Sequence, residues 1–258
     1  MLYILSLDTT AKTSSVCVSK FSEGHLSPIC LAQLNSTLTH SESLLPMIDF
    51  CLSQARLTFD QIAVSAISAG PGSFTGVRIG IASVKGLAFA KELKETKNSV
   101  CIPVSTLYAL ALNLTGGKRG QILCPVMDAR REQVYNALFS TDGKGNIKRL
   151  CKDRLITAEE LFCELRETYP NKEIVLVGDG ATLCDRLFEA RKEEHPHIRL
   201  CDEAQLYQNA FSVAKAAVLT HDLEALCEAG KEEFSCAALS PVYLRASQAE
   251  RERNKREN

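Results

Sequence analysis

The sequence has no excess of charge of either sign and no long apolar run. Its 258 residues include 30 basic and 31 acidic side chains, which gives a formal net charge of −1. No global field therefore draws the chain towards nucleic acid or an anionic membrane. No apolar stretch is long enough to span a bilayer, and the N-terminus reaches Asp8 without the basic region of a signal peptide. We expect a soluble, cytoplasmic protein without membrane contact.

The sequence also lacks closely spaced cysteines, although it contains 11 of them. No C-x-x-C pair occurs, since the closest two are Cys227 and Cys236, and most lie in apolar runs such as "SSVCVS". This pattern is typical of reduced, buried cysteines rather than of a disulfide framework or a metal site.

Signatures of a nucleophile paired with a base are missing as well. G-x-S-x-G and H-E-x-x-H do not occur. His195-Pro-His197 has an H-x-H spacing, but it lies in a charged segment without a third ligand nearby, so we expect a solvated loop. We therefore predict neither a catalytic residue nor a metal site in this chain.

What the sequence does contain is one order of elements, used twice. Three predicted strands, "LYILSLD", "SSVCVS" and "HLSPICLAQL", precede a helix with capping-box spacing at Thr39 and Glu42. Strand "IAVSAIS" and a helix from about Phe74 to Leu93 follow. The order returns as strands "QILCPVMDA", "QVYNALFS" and "IKRLCKDRLI", helix "TAEELFCELRETY", strand "EIVLVG" and helix "TLCDRLFEARKE". The repetition indicates a structural duplication.

The duplication predicts an α/β fold of two lobes, each with a mixed sheet flanked by helices. We place the N-terminal lobe at 1–104 and the C-terminal lobe at 105–200. Residues 201–258 are predicted to add an amphipathic helix in "AQLYQNAFSVAKAAVLTHDL", an extended "SPVYLR" that returns to the first lobe, and a charged tail.

Two such lobes would enclose a cleft, where ligands of open α/β sheets collect. The candidate cleft residues end equivalent strands of the two lobes: Asp8, Thr9, Thr10, Gly70, Gly72, Asp128, Gly178 and Gly180. Nucleotide binding is predicted to be poor, because the Asp8–Ala11 turn has no glycine whose amide could close on a phosphate. The stretch "SAGPGSFTGVRIG" also lacks the Lys and Ser/Thr of a P-loop.

The helix after Gly72 has a strip of small residues beside its apolar face. At about 100° per residue, this strip contains Gly76, Gly80, Ser83, Gly86 and Ala90. Each interior glycine costs about 1 kcal/mol relative to alanine, so we predict that a close approach of another helix compensates for it. Phe50 points away from the core face of the preceding helix. An exposed aromatic beside a small-residue groove indicates a protein interface.

Several stretches carry a resemblance to a known family: "GPGSFTGVRIG" continuing to "KGLA", "HSESLLPMI", "DARREQVYNALF" and "PVYLR". Over residues 1–140 and 240–245 the chain resembles the TsaB (YeaZ) family, the dimerisation subunits of the bacterial complex that makes threonylcarbamoyladenosine in tRNA. The two-lobed order is also similar to the actin/hexokinase/Hsp70 (ASKHA) superfamily, whose lobes are ribonuclease-H-like.

The resemblance implies a non-catalytic subunit that pairs with a TsaD-like catalytic subunit and recruits a TsaE-like ATPase. Together they would transfer a threonylcarbamoyl group to the adenosine beside the anticodon. The chain would meet tRNA only through the complex and would form a homodimer in isolation. No cofactor would be needed by this chain, and ATP/ADP and magnesium would belong to the partner subunits.

The partner surface implied by the resemblance lies on the two helices of the N-terminal lobe. Its predicted residues are Leu45, Phe50, Gly76, Gly80, Ser83, Gly86, Leu87 and Ala90. The TsaD branch has an H-x-x-x-H metal motif on its first helix, whereas this chain has only His40 there.

Two other functions stay open. A nucleotide-dependent ATPase or small-molecule kinase would use Asp8 and Asp128 around a metal-bound phosphate. A peptidase would need a hydrolytic constellation, and none is visible in the sequence.

Overall fold

The N-terminal lobe (N-lobe) is built on a five-stranded sheet. This computed structural model describes residues 1–36, 39–94, 100–114, 116–191, 193, 195, 197–230 and 232–245. The strands are β1 (Leu2–Asp8), β2 (Ser14–Ser22), β3 (His25–Leu34), β4 (Val64–Gly70) and β5 (Val100–Ser105), in the order β3-β2-β1-β4-β5. The first three form an antiparallel meander, and β1, β4 and β5 are parallel.

Side chains of β1 alternate between the two faces of this sheet, as a strand buried on both sides requires. Leu5 and Leu7 pack with helices α1 (His40–Ala55) and α2 (Phe74–Glu92), whereas Ile4 belongs to the core on the opposite face. The capping box of α1 is confirmed, since the Thr39 N–H donates to the Glu42 carboxylate at 2.9 Å.

The C-terminal lobe (C-lobe) repeats this plan. Its strands are β6 (Ile122–Asp128), β7 (Gln133–Asn136), β8 (Phe139–Thr141), β9 (Ile147–Arg149), β10 (Arg154–Thr157), β11 (Ile174–Val177) and β12 (Ile198–Leu200). The order β10-β7-β6-β11-β12 is the N-lobe order, third-second-first-fourth-fifth, and in addition β8 pairs with β6 and β9 pairs with β8. Helices α4 (Ala158–Thr168) and α5 (Ala181–Glu189) correspond to α1 and α2. The predicted duplicated α/β fold is confirmed.

Some boundaries differ from the sequence prediction. The short parallel strands β5 and β12 were not predicted, and "QVYNALFS" and "IKRLCKDRLI" each divide into two strands. The predicted long helix after residue 203 is divided into α6 (Glu203–Leu206) and α7 (Ala210–Thr220). The division occurs because Asn209 is extended and caps α7, accepting a bond from the Phe211 N–H at 2.9 Å.

Helix α3 (Thr106–Leu112) contributes to the cores of both lobes, and helices α7 and α8 (Leu223–Ala229) cover the second face of the N-lobe sheet. Leu110 of α3 lies in the C-lobe core, and Leu112 lies in the core beneath the N-lobe sheet. Val213 of α7 packs in the same cluster as Ile4. Helix α8 continues this layer with buried Leu223 and Leu226. No helix in the described ranges has the length and apolarity required to cross a bilayer.

Residues 236–245 form a strap that runs along the N-lobe towards the C-lobe. The Val242 N–H donates to the Ala69 carbonyl at 2.7 Å, and Arg245 donates to the Ala129 carbonyl at 2.8 Å. Cys236 of the strap is disulfide-bonded to Cys101 on β5, so the expectation of reduced cysteines is wrong for this pair. The two cysteines are 135 residues apart in the sequence, and the strap brings Cys236 back to β5. The predicted charged tail at 246–258 lies outside the described residues.

Candidate functional site

The β1–β2 hairpin packs directly on the first half of α2. Thr9 Oγ1 donates to the Gly76 carbonyl at 2.7 Å, and a Cβ at Gly76 would lie 1.9 Å from the Thr9 carbonyl oxygen. A Cβ at Gly80 would lie 2.5 Å from Thr9 Oγ1. Both positions need glycine because of the chain's own hairpin. The prediction that Gly76 and Gly80 lie on a partner surface is therefore wrong.

The turn between β4 and α2 is closed from two sides. Gly70 has a φ of +124°, and a Cβ there would lie 2.3 Å from the Val242 carbonyl oxygen of the strap. A Cβ at Gly72 would lie 2.5 Å from the Thr10 carbonyl oxygen, which accepts a bond from the Ser73 N–H at 2.6 Å. The Ser73 amide at the start of α2 is one that a bound phosphate would need, and here it donates to the hairpin instead.

Asp8 holds the hairpin rather than facing the cleft. Its Oδ1 accepts from the Thr10 N–H at 2.9 Å and from Thr10 Oγ1 at 2.7 Å, and its Oδ2 accepts from Ser68 Oγ at 2.5 Å. Burial raises the pKa of Asp8, and these hydrogen bonds oppose that shift. Both carboxylate oxygens are therefore satisfied within the N-lobe.

The C-lobe hairpin repeats the same turn with a different outcome. Asp128 Oδ1 accepts from the Arg130 N–H at 2.7 Å, as Asp8 does from Thr10. Arg130, Arg131 and Glu132 follow with φ values of 67°, 58° and 58°. Three successive left-handed residues other than glycine cost about 1 kcal/mol or more each. The turn projects two arginines at the cleft instead of packing against a helix.

The predicted C-lobe glycines lie beneath this hairpin. A Cβ at Gly178 would lie 2.2 Å from the Val126 carbonyl oxygen, and one at Gly180 would lie 2.8 Å from the Asp128 nitrogen. Gly178 and Gly180 therefore support the end of β6, in the way that Gly72 supports the N-lobe hairpin.

Between the hairpins lies a cleft of about 630 Å³. Three of the predicted cleft residues line this cleft: Thr10, Gly72 and Asp128. The other predicted residues do not line it: Asp8, Thr9, Gly70, Gly178 and Gly180. The other lining residues are Ala11, Lys12, His40, Ser73, Phe74, Met127, Ala129, Arg130, Arg131, Tyr135, Asp179, Tyr243 and Arg245. The structure thus brings polar groups of both lobes and of the strap together.

Asp179 is the most perturbed acid of this cleft. Burial, together with the smaller effect of the Asp128 charge, raises the pKa of Asp179 to about 6. No sequence motif marks this residue, because it follows Gly178 in an ordinary strand-to-helix turn.

Metal ligands do not assemble in the part of the chain that the structure describes: no group of three His, Cys, Asp or Glu side chains there could hold an ion. His195 is buried, and its Nε2 lies 3.1 Å from the Tyr169 carbonyl oxygen. The predicted solvated loop is therefore wrong at His195, which is bonded to the end of α4.

The outer face of the N-lobe lies on the exposed sides of α1 and α2. We define it by Leu45, Phe50, Ser83, Gly86, Leu87, Phe89 and Ala90. Leu45 and Phe50 are each 52% exposed, Phe89 is 60% exposed, and a Cβ at Gly86 would have no neighbour within 4 Å. Phe89 was missed in the sequence, although the helical wheel that singled out Phe50 also turns Phe89 away from the core. The remaining predicted partner residues stay predictions.

The corresponding outer side of the C-lobe is covered by charged groups. Arg191 forms an ion pair with Glu159 at 2.5 Å, and its guanidinium lies 4.1 Å from the ring centre of Phe162. Arg154 pairs with Glu164 at 2.8 Å. Leu187 is a large apolar side chain exposed on α5, at 42%. The apolar surface is therefore concentrated on the N-lobe helices.

Two duplicated sheets around a cleft define a two-lobed, duplicated α/β protein. Two solved structures from Pseudomonas aeruginosa share the fold over 95% of this chain and 100% of theirs. One is titled an uncharacterized protein with similarity to peptidase YEAZ, with a TM-score of 0.67 at 24% identity. The other is titled YeaZ, with a TM-score of 0.66 at 23% identity. At these identities the likeness concerns the fold.

Sequence comparison identifies the family. The family model "TsaD: tRNA N6-adenosine threonylcarbamoyltransferase" matches residues 35–252. A protein of Haemophilus influenzae named tRNA threonylcarbamoyladenosine biosynthesis protein TsaB is 36% identical over 135 residues, 52% of either chain. The Bacillus subtilis protein of the same name is 25% identical over 187 residues, 72% of this chain and 75% of that one. The match thus spans about half the length of the first relative. The chain belongs to the family that this family model describes and, within that family, to the TsaB (YeaZ) group.

Proposed function

We propose that this protein is a non-catalytic dimerisation subunit in the synthesis of threonylcarbamoyladenosine in tRNA. It pairs with a TsaD-like catalytic subunit through the outer face of α1 and α2, and the pair recruits a TsaE-like ATPase. The names of its relatives support the pathway. The observation that carries the proposal is the exposure of Leu45, Phe50 and Phe89 on one pair of helices.

The chemistry of the outer face suits a helical partner. Burying an exposed leucine or phenylalanine side chain stabilises a complex by about 1.5–3 kcal/mol. Gly86 and Ala90 leave the second half of α2 with almost no side chain, so that a partner helix can approach its backbone closely. In the absence of the TsaD-like subunit, a second copy of the chain would use the same face and form a homodimer.

The proposal of a non-catalytic subunit is supported by the way the hairpin groups are used. Asp8 is bonded to Thr10 and Ser68, and the Ser73 N–H is bonded to Thr10, so these groups serve the fold. We propose that this chain needs no cofactor, and that ATP/ADP and magnesium bind in the partner subunits. A nucleotide-dependent enzyme and a peptidase are weaker alternatives, which turnover of ATP or peptide by the purified chain would support.

Calorimetric titration with the TsaD-like subunit tests the proposal. Phe89→Asp and Gly86→Leu should each weaken binding by about 30-fold or more, because hot-spot residues contribute about 2 kcal/mol or more. Leu187→Asp, on the corresponding helix of the C-lobe, is the matched control and should bind normally. Normal binding by both N-lobe variants would contradict the proposed interface. The TsaE-like ATPase should bind the pair and neither subunit alone.

A further inference from the structure

The interlobe cleft concentrates positive charge on a chain that has a net charge of −1. Its lining includes four cations, Lys12, Arg130, Arg131 and Arg245, and two acids, Asp128 and Asp179. Arg130 pairs with Asp128 at 3.3 Å, but its side chain remains 85% exposed. The cations come from both hairpins and from the strap, so they are distributed along the cleft rather than gathered at one point.

An aromatic platform lies beside these cations. The rings of Tyr243 and Phe74 stack with their centres 4.5 Å apart at an angle of 25°. The Arg78 guanidinium lies 3.8 Å from the centre of the Phe74 ring, and Arg78 Nε donates to the Tyr243 hydroxyl at 2.8 Å. Tyr243 is therefore held in place while 39% of its surface stays exposed at the cleft. Rings held in this way are the surfaces on which nucleobases stack.

Two buried acceptors complete the lining. His40 Nε2 lies 2.6 Å from the Ala11 carbonyl oxygen, so this nitrogen donates, and in the neutral ring Nδ1 is then an acceptor. His40 Nδ1 and Asp179 Oδ1 are buried without a hydrogen-bond partner among the described residues. Unsatisfied buried acceptors call for donors, and the amino groups of nucleobases are donors.

We propose that this cleft binds a short segment of single-stranded RNA, with Lys12, Arg130, Arg131 and Arg245 contacting phosphates and Tyr243 stacking on a base. A strand offers one charge for each nucleotide, which matches cations spread over two lobes. A free nucleotide instead needs amides gathered around its phosphates, and the Ser73 and Thr10 amides are already bonded within the N-lobe. The inference goes beyond the proposed function, which assigns no role to the cleft, and it differs from the expectation of the resemblance that the chain meets tRNA only through the complex.

The test is fluorescence anisotropy of the full chain with a labelled eight-nucleotide single-stranded RNA of mixed sequence. Tyr243→Leu should weaken binding about tenfold, whereas Tyr243→Phe, which keeps the ring, should bind like the wild type. Arg131→Gln and Lys12→Gln should each weaken binding about threefold and lower the dependence on salt. Lys148→Gln, an exposed lysine on β9 outside the cleft, is the matched control and should change neither.

Three outcomes would overturn the inference. The first is equal affinity of the wild type and of Tyr243→Leu, Arg131→Gln and Lys12→Gln. The second is an equal loss for Lys148→Gln, which would mean unspecific charge attraction. The third is displacement of the RNA by micromolar ATP, which would assign the cleft to a free nucleotide. Because these variants lie away from Phe89 and Gly86, they should bind the TsaD-like subunit normally, so failure of this inference is separate from failure of the proposed function.

Discussion

The two lobes share one strand order but differ in where their binding groups are exposed. The N-lobe exposes apolar side chains on its outer helices, whereas the C-lobe presents arginines to the cleft. In the N-lobe the hairpin after β1 is packed against α2, with Thr9 bonded to Gly76, and the outer helices expose Phe50 and Phe89. In the C-lobe the hairpin after β6 projects arginines at the cleft, and the outer helices are covered by ion pairs such as Arg191–Glu159.

This difference separates two reasons for glycine in one helix. Gly76 and Gly80 are required by the internal approach of the Thr9 hairpin, whereas Gly86 has open space around it. A strip of small residues therefore indicates close approach of something, and only the tertiary structure tells whether that is the same chain or a partner.

The largest effect is expected where the N-lobe hairpin meets α2. Gly76→Ala should lower the free energy of unfolding by about 4 kcal/mol, because a Cβ 1.9 Å from the Thr9 carbonyl oxygen forces the backbone apart. Gly86→Ala, the control in the same helix, should raise it by up to about 1 kcal/mol. Urea unfolding measures both. Equal stability of the two variants would remove the distinction between the closed and open halves of α2.

A smaller effect is expected from the buried acid of the C-lobe. The pKa of Asp179 is raised from 3.8 to about 6, so its ionisation destabilises the folded state. Stability from this group is fully present below pH 4 and is lost as pH rises through 6. With about 2 pKa units at 1.36 kcal/mol each, Asp179→Asn should be more stable than the wild type at pH 8 by up to about 3 kcal/mol.

Urea unfolding between pH 4 and pH 8 checks this prediction, with Asp8→Asn as the N-lobe counterpart. Asp8 accepts three hydrogen bonds, so Asp8→Asn should destabilise the protein across this range. An Asp179→Asn variant with the wild-type pH dependence would mean that Asp179 is not perturbed by burial.

The smallest effect concerns one hydrogen bond of the N-lobe hairpin. Thr9→Val removes the donor to the Gly76 carbonyl with little change in shape, and should cost about 1 kcal/mol. Thr75→Val makes the same change at an exposed position of α2 and should stay within about 0.5 kcal/mol of the wild type. Thermal unfolding of the pair would show whether the hydroxyl supports the packing, and equal midpoints would contradict it.

Most of the element order could be predicted because it depends on local patterns. The apolar alternation of β1 and the capping box at Thr39 are properties of neighbouring residues. The packing of Thr9 on Gly76 joins residues 67 positions apart, and the Cys101–Cys236 disulfide joins residues 135 positions apart. A helical wheel of α2 contains no information about Thr9 or the strap. It therefore placed all glycines of the strip on one partner surface.

The cleft was predicted at the correct strand ends, but its membership was predicted only in part. Thr10, Gly72 and Asp128 line it, whereas Asp8 turns into the N-lobe because Thr10 and Ser68 donate to it. Tyr243 and Arg245 reach the cleft from the strap, and this depends on how the chain returns across both lobes.

The position of α7 sets a limit on the order in which the protein can mature during synthesis. One face of the N-lobe sheet is covered by residues 210–220, and Ser15 on β2 is bonded to the Ala210 N–H at 3.0 Å. While the ribosome is still translating the C-lobe, Ile4 and Ala66 lack the cover of α7, and α3 alone can lie on this face. The first lobe to be synthesised therefore cannot complete its core until α7 has left the exit tunnel.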